Sequence, residues 1–417
     1  MQKSTSTMPL FQHQIDFLKQ NPDKSALIHS CGTGKTRTAI EWAKKYKRWV
    51  LIICPKSLKT NWRRECEEWG LNTYHVLTKE EFRKSWEYLS AFEQVIVDEV
   101  HNGFLTPHFK SQMSKALRAY LKKHDVRRVL LLSATVYSSS PWNIYSLAYY
   151  LGNKWDYKKF DTMFFNYVRM GFKYVPVAKK GCEKKLAEMT KKIASVVSLE
   201  ECVDVPEQTF ENEYFELTKE QEKLIEANYD PLPIVRFTSA DEISNGVLKG
   251  NEFRKDIMDI PSLKNERIFD LCQENKKIIV VCRYNLQIDF LDNYLKSIGK
   301  PIFIIRGEVK DRDAVVQEAE KSAEAIVLIQ SSCSVGYELP SFSIMVFASL
   351  DFSYTHFVQI CGRILRINRL HKNVYISLIT GETGQAVADA IAHKKDFDIN
   401  LYEKQNNTKE QMEKFLL

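Results

Sequence analysis

The sequence predicts an α/β protein with two parallel-sheet domains in tandem and, between them, a mainly helical insertion that is rich in basic and aromatic residues. The chain has 417 residues, enough for two domains with a sizeable core each. Short β-branched runs alternate with amphipathic stretches near both ends, which is typical of a parallel sheet covered by helices, and the middle lacks this alternation. We expect the first domain at 1–151, the insertion at 152–260, the second domain at 261–390 and a C-terminal helix and tail at 391–417.

Each domain contains five short β-branched runs that predict strands. In the first domain these runs cover 26–29, 49–54, 73–77, 95–98 and 129–132. In the second domain they cover 277–282, 302–305, 325–330, 344–348 and 374–379. Amphipathic helices are predicted between the strands, at 35–46, 58–69, 79–88, 111–123, 142–151, 262–273, 286–297, 311–321 and 355–365. This order of strands and helices is that of a sheet with helices on both faces.

The positive charge of the chain is concentrated in one segment. The sequence has 60 Lys+Arg and 53 Asp+Glu, a net charge of +7. Residues 154–192 contain eleven basic and four acidic residues and therefore account for the whole net charge. A segment of this kind favours a partner that carries phosphates.

Several protein classes are excluded by composition. No apolar run approaches the roughly 20 residues that cross a membrane, and the N-terminus is polar, so we expect a cytoplasmic protein without a membrane partner. The nine cysteines are scattered singly, with neither a Cys-x-x-Cys pair nor a zinc-ligand spacing. They indicate reduced core residues of a cytosolic protein.

A phosphate-binding loop is predicted between the first strand and the first long helix of the first domain. The loop reads Gly32-Thr33-Gly34-Lys35-Thr36. Glycines let backbone N–H groups face phosphates, and the helix N-terminus adds its dipole. Lys35 would pair with the β- and γ-phosphates, and the Thr36 hydroxyl would bind Mg²⁺. The first glycine of the longer pattern is replaced by His29, and a plain glycine turn before a helix is the alternative.

Two carboxylates follow the apolar strand 95–97, sixty-three residues after Lys35. Asp98 can bind Mg²⁺ directly or through water, and Glu99 can orient and deprotonate an attacking water. The alternative is a pair of solvated turn residues. A phosphate loop earlier in the same domain favours the catalytic interpretation.

These residues resemble motifs of the superfamily 2 helicases and translocases, in particular their DExH branch. Asp98-Glu99-Val100-His101 resembles the second motif of that family, and Ser133-Ala134-Thr135 resembles the third. The resemblance implies two RecA-like domains, ATP and Mg²⁺ as cofactors, and recognition of adenine by Gln14. It also implies that His101, Ser133 and Thr135 couple the nucleotide to the nucleic acid.

The second domain contains two further resemblances. The stretch Gln359-Ile360-Cys361-Gly362-Arg363-Ile364-Leu365-Arg366 resembles the sixth motif, and Gly336-Tyr337-Glu338-Leu339-Pro340 resembles the fifth. The resemblance implies that Gly336, Glu338 and Gln359 contact the nucleotide. It further implies that Arg363 and Arg366 reach the γ-phosphate, so that hydrolysis depends on domain closure. A solvated basic helix face is the alternative for the two arginines.

The subgroup is indicated by one stretch that is similar to Swi/Snf-type DNA translocases, namely Ile52-Ile53-Cys54-Pro55-Lys56-Ser57-Leu58 followed by Asn61-Trp62 and Glu65. Residues 204–221 resemble the segment between the two motor domains of those proteins. On this basis Lys56, Ser57 and Thr78 are expected to contact nucleic acid. The third motif departs from the Swi/Snf pattern. The short chain also resembles compact recombination and replication-fork helicases of bacteria and phages, which implies a bacterial or phage-infected cell.

The function expected from these features is an ATP-dependent motor on duplex or branched DNA, acting in recombination, repair or fork processing. A helicase that separates RNA or DNA strands is the alternative, favoured by the third motif. Two alternatives belong to another functional class: a nucleotide-switched binding module and a motor subunit of a larger complex. We expect a monomer, because the phosphate loop and both arginines occur on one chain.

The basic segment is expected to be a clamp on the DNA backbone. The lysines proposed for phosphate contacts are Lys179, Lys180, Lys184 and Lys185. Interleaved aromatic residues would either stack on bases or form a small core, and the clustering of Phe164, Phe165 and Tyr167 favours the core. A solvated helix face is the alternative for the lysines.

Overall fold

The computed structural model describes most of the chain, in two compact units that lie within Met1–Val203 and Asp204–Asp396. The described residues are 9–30, 32–106, 109–134, 140–170, 173–179, 181–202, 207–228, 233–250, 255–257, 259–309, 311–333, 336–365 and 372–395. Among them, no helix is both long and apolar enough to cross a membrane.

The first unit contains a six-stranded sheet and a separate two-stranded hairpin. Its strands are β1 (Lys24–His29), β2 (Val50–Cys54), β3 (Tyr74–Thr78), β4 (Gln94–Val97), β5 (Arg128–Ser133), β6 (Phe165–Met170), β7 (Lys173–Ala178) and β8 (Ala194–Val197). Its helices are α1 (Gln12–Gln20), α2 (Lys35–Lys44), α3 (Lys59–Glu68), α4 (Lys79–Ser85), α5 (Gln112–Lys123), α6 (Trp142–Tyr150), α7 (Tyr157–Phe164), α8 (Glu183–Lys191) and α9 (Leu199–Cys202). The sheet order is β3-β2-β4-β5-β1-β8, with every pair parallel.

Both faces of this sheet are covered, which explains the continuous apolar strands. In β2, Leu51 and Ile53 pack into one core and Ile52 packs into the other, because successive side chains point to opposite faces. A strand buried on both faces cannot alternate with polar residues.

The second unit contains the other parallel sheet. Its strands are β9 (Gln208–Phe215), β10 (Lys277–Cys282), β11 (Ile302–Ile305), β12 (Ala325–Gln330), β13 (Ile344–Phe347) and β14 (Asn373–Thr380). Its helices are α10 (Lys219–Ala227), α11 (Pro233–Ser244), α12 (Leu263–Glu274), α13 (Asn285–Leu295), α14 (Arg312–Lys321), α15 (Tyr354–Cys361) and α16 (Gly381–Lys395). The order is β11-β12-β10-β13-β14-β9. Two parallel sheets with helices between the strands confirm the predicted tandem RecA-like fold.

The segment 152–260, predicted as an insertion, contributes to both units. β8 pairs with β1, and β9 pairs with β14 along its whole length. The sequence analysis predicted neither strand, nor the hairpin of β6 and β7. The reason is that β8 has only four residues and β9 carries polar residues at partly buried and exposed positions, so neither shows the continuous apolar run of a central strand.

A buried polar cluster joins α11 and α12 to the second sheet. Lys264 is 2% exposed, and its ammonium donates to Asn245 Oδ1 at 2.6 Å and to the Ala348 carbonyl at 3.0 Å. Burial lowers its pKa to about 8. Nearby on α11, the Asp241 carboxylate accepts hydrogen bonds from Arg283 and Tyr284. These contacts make α11 part of the second unit.

Candidate active site

The loop predicted to bind phosphate, called the phosphate loop below, lies between β1 and the N-terminus of α2. Gly32 and Gly34 adopt φ values of 83° and 79°, which favour glycine over other residues. A Cβ atom at Gly34 would also lie 2.6 Å from Gln14 Nε2. The first N–H groups of a helix have no partner within the helix, so the N-terminus of α2 favours an anion.

The Lys35 side chain is held by the loop itself. Its ammonium donates to the carbonyls of His29 at 2.7 Å and Ser30 at 3.1 Å. The Thr33 hydroxyl also donates to Ser30, at 2.8 Å. Among the described residues, no carboxylate lies within ion-pair distance of Lys35, and the Thr36 hydroxyl makes no hydrogen bond. Both groups therefore fit the expected contacts with phosphate and Mg²⁺.

The Gln14 side chain is hydrogen-bonded to the phosphate loop. It is 2% exposed, its Oε1 accepts from the Phe11 N–H at 2.8 Å, and its Nε2 donates to Gly34 O and Thr38 Oγ1, both at 3.0 Å. Adenine recognition by Gln14 stays a prediction, and it would require some of these bonds to be exchanged. The direct role visible here is to fix the backbone of the phosphate loop.

His29, at the position of the missing glycine, ties the loop to β8. Its ring is fully buried, and Nε2 lies 2.9 Å from Ser195 Oγ. Burial, with help from the charges of Lys35 and His13, lowers the pKa of His29 to about 2, so the ring is neutral. The Ser30 N–H donates to the Val197 carbonyl at 3.0 Å. The sequence shows that His29 replaces the usual glycine, but it does not predict that His29 contacts Ser195 on β8.

His13 makes a second connection between the loop and the residues after β8. Its Nε2 lies 3.0 Å from the Thr33 carbonyl and its Nδ1 lies 3.2 Å from Cys202 Sγ. Burial lowers the pKa of His13 as well. The phosphate loop is thus braced by α1 on one side and by β8 and α9 on another.

The Asp98 carboxylate lies at the end of β4 and is buried. It is 6% exposed, accepts from Trp62 Nε1 at 2.8 Å through Oδ2, and accepts from the Glu99 N–H at 2.9 Å through Oδ1. Burial and the neighbouring Glu99 raise the pKa of Asp98 above its ordinary value, against the effects of Trp62 and Lys35. A buried acid of this kind is stabilised in its ionised form by a cation.

Glu99 has two unusual features. Its φ is 47°, a left-handed conformation that is rare for a residue with a side chain and is found at functional sites. Its Oε2 is buried and accepts no hydrogen bond from the described part of the chain, although His101 Nδ1 lies 3.3 Å away. An unsatisfied buried carboxylate oxygen has the chemistry required to take a proton from water or to contact a metal-bound ligand.

Lys79, which the sequence analysis missed, supports the backbone of this turn. It is 4% exposed, and its ammonium donates to the carbonyls of Glu99 at 2.9 Å and Asn102 at 3.0 Å. Burial lowers its pKa to about 8 even though Glu99 and Asp98 oppose this shift. A lysine at the start of α4 gave no recognisable signal, because its partners lie about twenty residues further along the chain.

The structure brings the expected coupling residues His101 and Ser133 together. His101 Nδ1 lies 2.7 Å from Ser133 Oγ at the end of β5. The turn after β4 is therefore connected to the end of the next strand. Thr135 lies outside the described residues, and the coupling role of all three residues stays a prediction.

In the second unit, Arg363 connects the two expected motifs. Its Nε donates to the Gln359 carbonyl at 2.9 Å and its Nη1 donates to the Tyr337 carbonyl at 2.7 Å. Gly336 has a φ of 98°, and the Glu338 side chain is exposed. Arg366 lies outside the described residues.

Asp351 is a positioning residue that the sequence analysis missed. It accepts from Ser331 Oγ at 2.9 Å and lies 2.8 Å from His356 Nδ1, so it joins the residues after β12 to α15. Burial alone would raise the pKa of Asp351, but the contacts with His356 and Ser331 outweigh it and lower the pKa. These contacts hold the helix that carries Gln359.

The residues expected to contact nucleic acid differ in their surroundings. Lys56 and Ser57 are exposed in a short 3₁₀ turn after β2, whereas Thr78 is 5% exposed and its hydroxyl accepts from the Glu81 N–H at 3.1 Å. A contact between Thr78 and nucleic acid would have to break this helix cap. Among the lysines of the expected clamp, Lys179 donates to the Thr162 carbonyl at 2.6 Å.

The remaining lysines of the expected clamp lie on or near α8. Lys184 and Lys185 are exposed, while Leu186 and Ala187 on the other face are buried. The arrangement is compatible both with phosphate contacts and with a solvated face. Lys180 lies outside the described residues.

One comparison bears on the second unit. Residues 263–368 match the helicase conserved C-terminal domain. The helicase C-terminal domain begins with α12, runs past α15 and includes Gly336, Gln359 and Arg363. This match supports the presence of a helicase C-terminal domain of superfamily 1 or 2. Together with the two RecA-like sheets, it indicates an ATP-dependent nucleic-acid helicase or translocase. No curated protein matches the sequence.

Proposed function

We propose that the protein is a Mg²⁺-dependent ATPase that moves along duplex or branched DNA. The observation that carries the proposal is the combination, at the carboxyl ends of one parallel sheet, of a glycine-rich phosphate loop with the buried acids Asp98 and Glu99. Ligands in open α/β sheets bind outside these strand ends. The match of the second unit to a helicase C-terminal domain supports the same reaction.

The loop would bind the nucleotide through its backbone N–H groups and through Lys35. A phosphate oxygen is a stronger acceptor for the ammonium than the two carbonyls that Lys35 contacts here. The Thr36 hydroxyl and the Asp98 carboxylate would hold Mg²⁺, which neutralises phosphate charge when it is bound. Trp62 keeps the Asp98 carboxylate in one orientation.

Glu99 would orient the attacking water and accept its proton. Its Oε2 is buried and accepts no hydrogen bond from the residues that the structure describes, and Lys79 and the Asp98 carboxylate fix the carbonyl and the N–H of Glu99. The positive charge that the transition state needs would come from Lys35 and, as the motif resemblance implies, from Arg363 and Arg366. Arg363 would have to exchange its two carbonyl partners to do so.

The DNA substrate is proposed from the resemblance of residues 54–65 and 204–221 to Swi/Snf-type translocases. The basic segment 154–192 would contact the phosphate backbone, because exposed lysines neutralise phosphates of any sequence. A helicase that separates RNA or DNA strands is the second candidate. It is favoured by the third motif, Ser133-Ala134-Thr135, whose Ser133 hydroxyl is bonded to His101.

The test is ATP hydrolysis by the purified protein with duplex DNA, single-stranded DNA and RNA, compared at one salt concentration. We expect Lys35→Ala and Glu99→Gln to abolish turnover. Lys84→Ala and Glu80→Gln, exposed on α4, are matched controls that should leave it unchanged. Normal hydrolysis by Glu99→Gln would contradict the ATPase assignment, and stimulation by RNA alone would contradict the DNA substrate.

A further inference from the structure

The hairpin of β6 and β7 is attached at one end and exposed at the other. It is antiparallel from Phe165↔Ala178 to Met170↔Lys173 and joins neither six-stranded sheet. An isolated two-stranded hairpin is marginally stable, so its base must be supported. Phe165 is 5% exposed and stacks on Trp142 at a centroid distance of 4.9 Å, which provides this support.

The exposed end has an aromatic and basic face. Side chains of directly opposed residues share a face, and the pairs Tyr167↔Pro176 and Arg169↔Tyr174 are two residues apart on β6. Tyr167 is 50% exposed and Tyr174 is 68% exposed. The prediction that Tyr167 belongs to a small aromatic core is therefore wrong, whereas the same prediction for Phe165 is confirmed.

The Tyr167 ring is fixed in place although it is exposed. Its hydroxyl donates to Asp161 Oδ1 at 2.8 Å, and this bond raises the pKa of Tyr167 to about 12. Diagonal neighbours in an antiparallel pair lie about 7–8 Å apart. Tyr167 and Tyr174 are diagonal neighbours, so two aromatic rings can contact successive parts of the same ligand.

We propose that the face formed by Tyr167, Arg169 and Tyr174 binds unpaired bases of a single-stranded stretch of nucleic acid. This proposal rests on the proposed function. Tyrosine rings stack on bases regardless of sequence, while arginine attracts the neighbouring phosphates. The net positive charge of residues 154–192 favours nucleic acid over a protein partner. Bases within a duplex are already stacked, so the face distinguishes single strands from duplexes, which the surrounding lysines do not.

The experiment compares the double variant Tyr167→Ala/Tyr174→Ala with Tyr88→Ala, a control whose tyrosine is 87% exposed outside the hairpin. Binding of a labelled oligothymidine strand and of a duplex is measured by fluorescence anisotropy at one salt concentration. We expect the double variant to bind the single strand at least about fivefold more weakly, with duplex affinity unchanged. Tyr167→Phe/Tyr174→Phe should restore single-strand binding, because the rings are retained.

A second measurement reports stacking directly. The indole fluorescence that Tyr174→Trp adds to that of the wild type should be quenched by the single strand and not by the duplex. Equal weakening for both ligands, or single-strand affinity like that of Tyr88→Ala, would overturn the proposal while leaving the proposed motor intact. If the wild-type protein binds neither ligand and its ATPase is not stimulated, the proposed function fails with it. Circular dichroism confirms that each variant is folded.

Discussion

Replacing Trp62 with Phe tests whether Asp98 is a ligand for Mg²⁺. Trp62 Nε1 donates to Asp98 Oδ2 at 2.8 Å, and the two residues are 1% and 6% exposed. A hydrogen bond to a charged group contributes about 1.5–3 kcal/mol, and loss of a group behind a metal ligand costs about 10–100-fold in affinity. We expect the half-saturating Mg²⁺ concentration to rise about tenfold or more, with turnover near normal at saturating Mg²⁺.

The assay is the initial rate of ATP hydrolysis over a series of Mg²⁺ concentrations. Trp42→Phe is the matched control, because Trp42 is fully buried and its Nε1 donates at 2.8 Å to a main-chain carbonyl, that of Pro22. Both variants lose an indole N–H and some packing, so both should lower the melting temperature. Only Trp62→Phe should shift the Mg²⁺ dependence. The same Mg²⁺ dependence in both variants would refute the reasoning.

Three further predictions concern the phosphate loop, the buried Lys264 and the exposed lysines of α8. Gly34→Ala should abolish ATP binding in equilibrium titration, because φ is 79° and the new Cβ would lie 2.6 Å from Gln14 Nε2; unchanged affinity would contradict the loop geometry. Lys264 has a pKa of about 8 in the folded protein against 10.5 ordinarily, so the unfolded state binds more protons between these pH values and the free energy of unfolding rises with pH there. Urea unfolding of wild type and Lys264→Met at both ends of this interval should show the wild type gaining up to about 3 kcal/mol relative to the variant, and a constant difference would contradict it. Lys184→Ala/Lys185→Ala should flatten the salt dependence of DNA binding by up to about 0.9 per lost duplex phosphate contact, and an unchanged slope would leave α8 as a solvated face.

The central strands could be predicted because their burial is recorded in the local sequence. Residues 50–54 and 278–282 are continuous apolar runs, and the structure places both inside their sheets. Ala194–Val197 and Gln208–Phe215 lie at sheet edges, and their sequences lack this pattern because the first has only four residues and the second carries polar residues at partly buried positions. Edge pairing depends on where the rest of the sheet already lies.

The candidate site shows the same division between local and distant information. The glycines of the loop and the pair Asp98 and Glu99 are local patterns, and sequence analysis found them. The partners that position them are distant along the chain: Trp62 is 36 residues from Asp98, and Ser195 is 166 residues from His29. Spacing alone gives no means of identifying such partners.

The return of the chain to β8 has a consequence for how this protein can vary between related sequences. The chain leaves the sheet after β5 and returns to it at Ala194. The segment that carries α7, the hairpin and α8 lies between α6 and Ala194, so both of its ends are fixed by the same folded unit. Length changes between these ends leave the strand beside β1 in place. A segment of different length between these ends would keep the strand beside β1 and the contact of the Ser195 hydroxyl with His29, provided that Ala194–Val197 is retained and that core positions such as Phe160, Phe164 and Leu186 stay filled.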